Sequence, residues 1–109
     1  MNEIEEIIKK LVEFRNQRDW EQFHNAKDLA LAISVEANEL LELFLWKQPE
    51  EVNKEKVKEE LADVFAFAFL LAQKHGLDVK EIVLDKIKIN AEKYPITKAK
   101  GTAKKYNEL

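Results

Sequence analysis

The stretch "LALAISVEANELLELFLW", residues Leu29 to Trp46, is apolar enough to form a buried helix. It nevertheless carries Glu36, Glu39 and Glu42 at every third position. Residues three apart lie on one side of an α-helix, so Glu36 and Glu39 share a face while Glu42 drifts around it. Burying an unpaired carboxylate is costly. The stretch therefore predicts a helix whose acids need a partner.

A second acidic pair, Glu60 and Asp63, has the same spacing within the apolar segment "EELADVFAF". No lysine lies between Asp28 and Trp46 to neutralise the first pair, so a divalent cation is the more economical partner. An all-oxygen ligand set without cysteine favours Mg²⁺, with Mn²⁺ as a substitute. The predicted reaction class is metal-assisted hydrolysis of a phosphate anhydride.

Acids at this spacing have two other interpretations. Acidic residues three apart also occur on ordinary solvated helix faces, where they carry no chemistry. A di-iron bundle needs a Glu-x-x-His motif on each of two helices. The segment "EQFH" (residues 21–24) has that spacing, but the only other histidine, His75, is preceded at that distance by Ala72. We therefore reject the di-iron interpretation.

Apolar periodicity predicts an all-α, four-helix bundle-like fold, because no segment alternates long enough for a strand. Pro49 and Gly76 are expected to end helices two and three. Asn53 and Asp78 are expected to cap the starts of helices three and four. The predicted helices cover approximately residues 2–15, 26–47, 53–75 and 78–94.

Length and composition favour one domain, residues 1–109, with a mobile tail over 96–109. The net charge of −3 gives no reason to expect nucleic-acid binding. The absence of cysteine fits a cytoplasmic protein. The longest apolar run, "VFAFAFLLA" (residues 64–72), is too short to cross a membrane. Helices two and three are apolar on so many sides that we expect a dimer or larger assembly.

The motifs "EANE" and "ELAD", with the flanking segments "RDWEQFH", "ELFLWK" and "KYP", resemble the MazG-like superfamily of all-α nucleoside triphosphate pyrophosphohydrolases. The likeness is greatest to its dCTP pyrophosphatase type. The resemblance implies cleavage between the α- and β-phosphates, giving a monophosphate and pyrophosphate, and assembly as a dimer or a dimer of dimers. It also implies catalytic roles for Glu39 and Glu36. The implied Mg²⁺ ligands are Glu36, Glu39, Glu60 and Asp63.

The same resemblance implies a substrate site. Trp20, His24 and Trp46 correspond to positions around the base. Phe67 stands where the family often has an aromatic hydroxyl, and Leu45 where it often has Gln, so the preferred base is left open. The polar face of helix four is the implied phosphate contact and comprises Lys86, Asn90 and Lys93.

Three functional hypotheses follow. The first is a nucleotide-pool enzyme that cleaves dCTP or a modified pyrimidine triphosphate. The second is an enzyme like phosphoribosyl-ATP pyrophosphohydrolase, which the aromatic flanks argue against. The third is a non-catalytic helical module that assembles or binds a nucleotide without cleaving it.

Overall fold

Three α-helices form the first part of the chain: α1 (Glu3–Gln17), α2 (Ala26–Glu42) and α3 (Lys54–Lys74). In the computed structural model, which describes residues 1–109, contacts divide the chain into two units, Met1–Leu77 and Asp78–Leu109. The chain contains no strand, so the predicted all-α class with four substantial helices is confirmed.

Asparagine side chains fix where the three helices begin. Asn2 accepts from the Glu5 N–H while the Glu5 carboxylate accepts from the Asn2 N–H, which is a reciprocal capping box. Asn25 caps α2, and Asn53 caps α3 as predicted. Each cap satisfies N–H groups that a helix start otherwise leaves unpaired.

Helix α2 is shorter than predicted, ending at Glu42 instead of residue 47. From Leu43 onward the backbone makes bonds of three-residue spacing, such as Phe44 N–H to the Leu41 carbonyl at 2.9 Å. Such bonds tighten and end a helix. Trp46 then adopts a left-handed conformation with φ 62°. Helix α2 thus ends before the chain reaches Pro49. Pro49 instead begins a short 3-10 turn, Pro49–Glu51.

The core of the first unit lies between α2 and α3, which pack along each other, while α1 packs on α3. Leu29, Leu70 and Ala72 are its buried apolar residues. The segment between α1 and α2, expected to be a loop, contains a 3-10 turn at Trp20–Phe23 that packs on α1. The first unit therefore places the acids of α2 and α3 at its main helix contact.

Many large apolar side chains remain exposed in the single chain. On α2 they include Leu31, Val35 and Leu41, and on α3 Leu61 and Phe65. This exposure agrees with the all-round apolar pattern, although self-association stays a prediction. None of the helices has both the length and the apolar character that crossing a membrane requires.

The second unit contains α4 (Val79–Lys93) and the short helix α5 (Ile96–Ala99). Asp78 caps α4 as predicted by accepting from the Glu81 N–H at 2.9 Å. The tail also forms a 3-10 turn, in which Tyr106 meets Tyr94 edge to face at 6.3 Å between ring centroids. The single-domain organisation and the mobility of the tail stay predictions.

Replacing the cap of α3 tests this account of helix formation. Asn53 accepts from two backbone N–H groups, those of Glu55 at 2.9 Å and Lys56 at 3.3 Å. We expect Asn53→Ala to lower the free energy of unfolding by about 1 kcal/mol in urea titrations. Asn53→Asp keeps the acceptor and should retain most of this stability. Equal losses in both variants would contradict the capping role.

Candidate active site

Three acidic side chains from α2 and α3 converge. Glu36, Glu60 and Asp63 each bring one carboxylate oxygen to a point where all three oxygens lie within 4.8 Å of one another. Glu36 comes from α2, while Glu60 and Asp63 are three apart on α3 and share a face. Three of the four predicted ligands are thus brought together; we call these residues the acid cluster.

Glu39, the fourth predicted ligand, lies beside the acid cluster and is not one of its three members. Its carboxyl lies close enough to those of Glu36 and Glu60 to help raise the pKa of both. It therefore stands next to the point where the three oxygens meet. Glu42, one turn further along, is exposed and accepts from the Asn38 amide at 3.2 Å, outside the acid cluster.

The pKa values of two members of the acid cluster, Glu36 and Glu60, are raised. Burial is the main reason that the pKa of Glu36 rises to about 7, followed by the adjoining Glu39 carboxyl. The negative charges of Asp63 and Glu60 add to this pKa rise. Burial and Glu39 likewise raise the pKa of Glu60. The folded chain therefore holds these acids in a place where ionisation is unfavourable.

The donor set fits a hard divalent cation. Glu36 Oε2 and Glu60 Oε2 are buried without a hydrogen-bond partner. None of the ion pairs in the chain involves a member of the acid cluster. Carboxylate oxygens with no nearby nitrogen or sulfur ligand are what Mg²⁺ and Mn²⁺ bind. The acid cluster could therefore hold a divalent metal.

An aromatic cavity of about 330 Å³ adjoins the acid cluster. Trp20, His24 and Phe67, which the resemblance implies for the substrate site, line it, and so does Asp63; their contact with a base stays a prediction. Trp20 meets Phe14 edge to face at 5.8 Å, and His24 meets Phe67 in the same way at 6.2 Å between ring centroids. Asp63 thus belongs to both the acid cluster and the cavity wall.

Asn25, and not His24, caps α2. The His24 side chain can therefore contact a ligand in the cavity. Its Nδ1 is buried and has no hydrogen-bond partner. Burial, and then the positive charges of Arg15 and Lys74, lower the pKa of His24. The imidazole is therefore neutral at neutral pH and offers one donor and one acceptor.

Arg15 is the cavity residue that the sequence prediction missed. Its side chain is only 4% exposed, and it lines the cavity together with Leu11 and Phe14. The available signal was position: Arg15 follows Leu11 by four residues and so continues the apolar stripe of α1. A charged residue on such a stripe is buried only when something compensates it.

Of the other predicted substrate residues in the first unit, Trp46 does not line this cavity. Trp46 is fully exposed at 100% on the turn that follows α2. Three others lie on α4, in the second unit, and their contact with phosphates stays a prediction: Lys86, Asn90 and Lys93.

Residues 31–109 match the family model of the MazG-like family. This chain belongs to the MazG-like family. The chain is 38% identical over 114 aligned residues to dCTP pyrophosphatase 1 of Homo sapiens. That alignment covers 97% of this chain and 67% of the human protein. The chain is 37% identical to dCTP pyrophosphatase 1 of Bos taurus, covering 97% and 68%.

A solved structure agrees with this membership of the MazG-like family. A pyrophosphatase from Archaeoglobus fulgidus DSM 4304 superposes with a TM-score of 0.82 at 37% identity. The match covers 87% of this chain and 94% of that protein. Family and relatives together confirm the prediction that this MazG-like chain is a hydrolase, a nucleoside triphosphate pyrophosphohydrolase.

The raised pKa of Glu36 predicts how stability of the metal-free protein depends on pH. Its pKa rises from 4.5 to about 7 on folding, so the folded state keeps a proton that the unfolded chain releases. This contribution is fully present below pH 4.5 and is lost as pH rises through about 7. We expect the free energy of unfolding, measured in urea with a chelator, to fall by about 1–2 kcal/mol across this window.

Glu36→Gln should remove that part of the pH dependence and make the metal-free protein more stable near neutral pH. Glu42→Gln, on the same helix but exposed, should leave the pH dependence as it is. An unchanged slope in Glu36→Gln would count against the assigned burial of this acid.

Metal binding gives a separate prediction. Because a cation binds the ionised acids, Mg²⁺ should raise the melting temperature more at about pH 8 than at about pH 5. Asp63→Asn should abolish this shift, whereas Glu42→Gln should keep it. A shift of equal size at both pH values, or one retained in Asp63→Asn, would place the cation elsewhere.

Proposed function

We propose that the chain hydrolyses a nucleoside triphosphate between its α- and β-phosphates and releases a nucleoside monophosphate and pyrophosphate. The single observation that carries the proposal is the shared position of Asp63, in both the acid cluster and the wall of the aromatic cavity. With a cation bound at the acid cluster, a molecule that spans both sites would be polyanionic at one end and flat at the other. A nucleotide has this form.

Mg²⁺, with Mn²⁺ as a substitute, is the proposed cation at the acid cluster. Glu36, Glu60 and Asp63 would hold it, with Glu39 at their side. When bound, the cation neutralises phosphate charge and activates water for attack. The absence of an ion pair to the acid cluster supports this assignment, because nothing in the chain otherwise offsets its charge.

Glu39 is the proposed general base. Its carboxyl adjoins two members of the acid cluster and lies outside the point where the three oxygens meet. From there a carboxylate oxygen would take the proton of the attacking water as the water approaches the α-phosphate. Glu36 would assist as a ligand of the same cation.

The aromatic cavity is the proposed base site, with dCTP or a modified pyrimidine deoxynucleotide as substrate. Trp20 would stack on the base and the neutral His24 would hydrogen-bond its edge. Phe67 supplies a ring but no hydrogen-bonding group. The names of the mammalian relatives, each a dCTP pyrophosphatase, support a cytosine nucleotide. Clearing unwanted nucleotides from a cytoplasmic pool is the corresponding role.

Self-association as a dimer or a dimer of dimers belongs to the same proposal. The apolar side chains left exposed on α2, among them Leu31 and Val35, support it. So does Trp46, whose fully exposed indole would contact a base only after a rearrangement or from another copy of the chain.

Product analysis tests the reaction. With Mg²⁺, the wild-type chain should release pyrophosphate and dCMP from dCTP, and a chelator should stop the reaction. Glu39→Gln should lower kcat roughly 10²- to 10⁴-fold, the range for loss of a general base. Glu42→Gln, three residues along and exposed, should retain wild-type kcat. Release of orthophosphate, or no turnover on any triphosphate in a panel, would overturn the proposal.

A further inference from the structure

Arg15 is a buried cation whose charge the protein only partly offsets. Its side chain is 4% exposed, yet its ion pair with Glu21 is long, at 3.9 Å, and Glu21 is 59% exposed. Glu21 also pairs with Lys74 at 3.6 Å. The exposed Glu21 carboxylate is thus shared between Arg15 and Lys74. An exposed ion pair of this kind contributes little to stability.

The hydrogen bonds of Arg15 are also incomplete. Nε donates to the Asn16 side-chain oxygen at 3.2 Å, but Nη1 is buried without any partner. No ion pair joins Arg15 to Asp63, although both line the cavity. A buried donor left unpaired is costly, and a charged one more so. Nη1 therefore has no acceptor within the chain, and a ligand could supply one.

The cavity indicates what kind of acceptor this is. Its walls are largely aromatic and aliphatic, so the part of a ligand that enters it is a flat, largely apolar group. The phosphates are assigned to the acid cluster, where a cation can meet them. A guanidinium has only donors, so the group it meets must be an acceptor.

We propose that Arg15 is a specificity-determining residue that donates from Nη1 to the carbonyl oxygen at position 2 of a pyrimidine base. This inference rests on the proposed function, which places a pyrimidine in the cavity. That oxygen is an acceptor in cytosine and thymine alike, whereas adenine has no carbonyl and guanine carries its carbonyl at position 6 and not at position 2. Arg15 thus selects for the pyrimidine ring, while the neighbouring His24, whose Nδ1 is also unpartnered, contacts the rest of the base edge.

Pairing enzyme variants with altered substrates tests the contact directly. The probes are dCTP and its 2-thio analogue, in which a poor acceptor replaces the carbonyl oxygen. Wild type should cleave the 2-thio analogue with a kcat/KM roughly 10-fold lower, because a charged hydrogen bond is weakened. Arg15→Met should lower kcat/KM for dCTP roughly 10- to 100-fold and should cleave both substrates equally well.

The controls separate this role from a structural one. Arg15→Met replaces a buried charge by an apolar side chain of similar length, and it leaves behind only Glu21, which is 59% exposed and also pairs with Lys74; its melting temperature should therefore stay near that of wild type. Arg15→Lys keeps the charge without the planar fork and should retain part of the preference for dCTP. Lys9→Met, on the exposed face of α1, should keep the wild-type kcat/KM for both substrates.

Several outcomes would overturn the inference. Equal cleavage of dCTP and the 2-thio analogue by wild type would do so without any variant. A penalty for sulfur that persists in Arg15→Met would show a steric effect. If Arg15→Met lowered kcat/KM equally for dCTP, dATP and inorganic triphosphate, Arg15 would contact the phosphates and not the base. If wild type cleaves no triphosphate at all, the proposed function itself fails, which is a different result.

Discussion

The contact between α2 and α3 has to hold carboxylates that repel one another. Glu36 and Glu60 each have a buried oxygen without a partner, and Asp63 stands within the same group. The helices that bury Leu29 and Leu70 to form the core are the ones that hold these acids in place. Folding energy from apolar packing thus keeps charges together that would otherwise separate. Such a site costs stability as long as nothing neutralises its charge.

The proposed function adds a second requirement, that the flat base and the phosphates of a nucleotide be held side by side. Trp20 and His24 lie in or beside a 3-10 turn between α1 and α2, and Glu21 on that turn pairs with cations on both α1 and α3. Phe67 follows Asp63 by four residues on α3, one helical turn away. Helix α3 therefore contributes to both the acid cluster and the cavity, which fixes the distance between them.

Sequence reasoning recovered the elements that local chemistry dictates. Spacing of three placed Glu60 and Asp63 on one face, and Asn53 marked a helix start. It failed where tertiary context decides. The early end of α2 at Glu42 depends on a change in hydrogen-bond spacing that has no compositional sign. Arg15 is buried by what α1 packs against, which spacing within α1 does not reveal. The sequence predicted that four acids from two helices converge; spacing alone could not show that Glu39 lies beside the three whose oxygens meet.

Arg15 is only partly offset and the acid cluster has no ion pair, yet these opposite charges of one unit do not pair with each other. A chain selected only to fold would bring such charges together or replace them with apolar residues. Here Asp63 lies within the acid cluster and lines the cavity with Arg15, and no ion pair connects the two side chains. Each charge thus remains available to a ligand. The carboxylates can bind a cation, which in turn can bind phosphates. The guanidinium can donate to a neutral acceptor. This separation suits a nucleotide, in which charge and base lie at opposite ends.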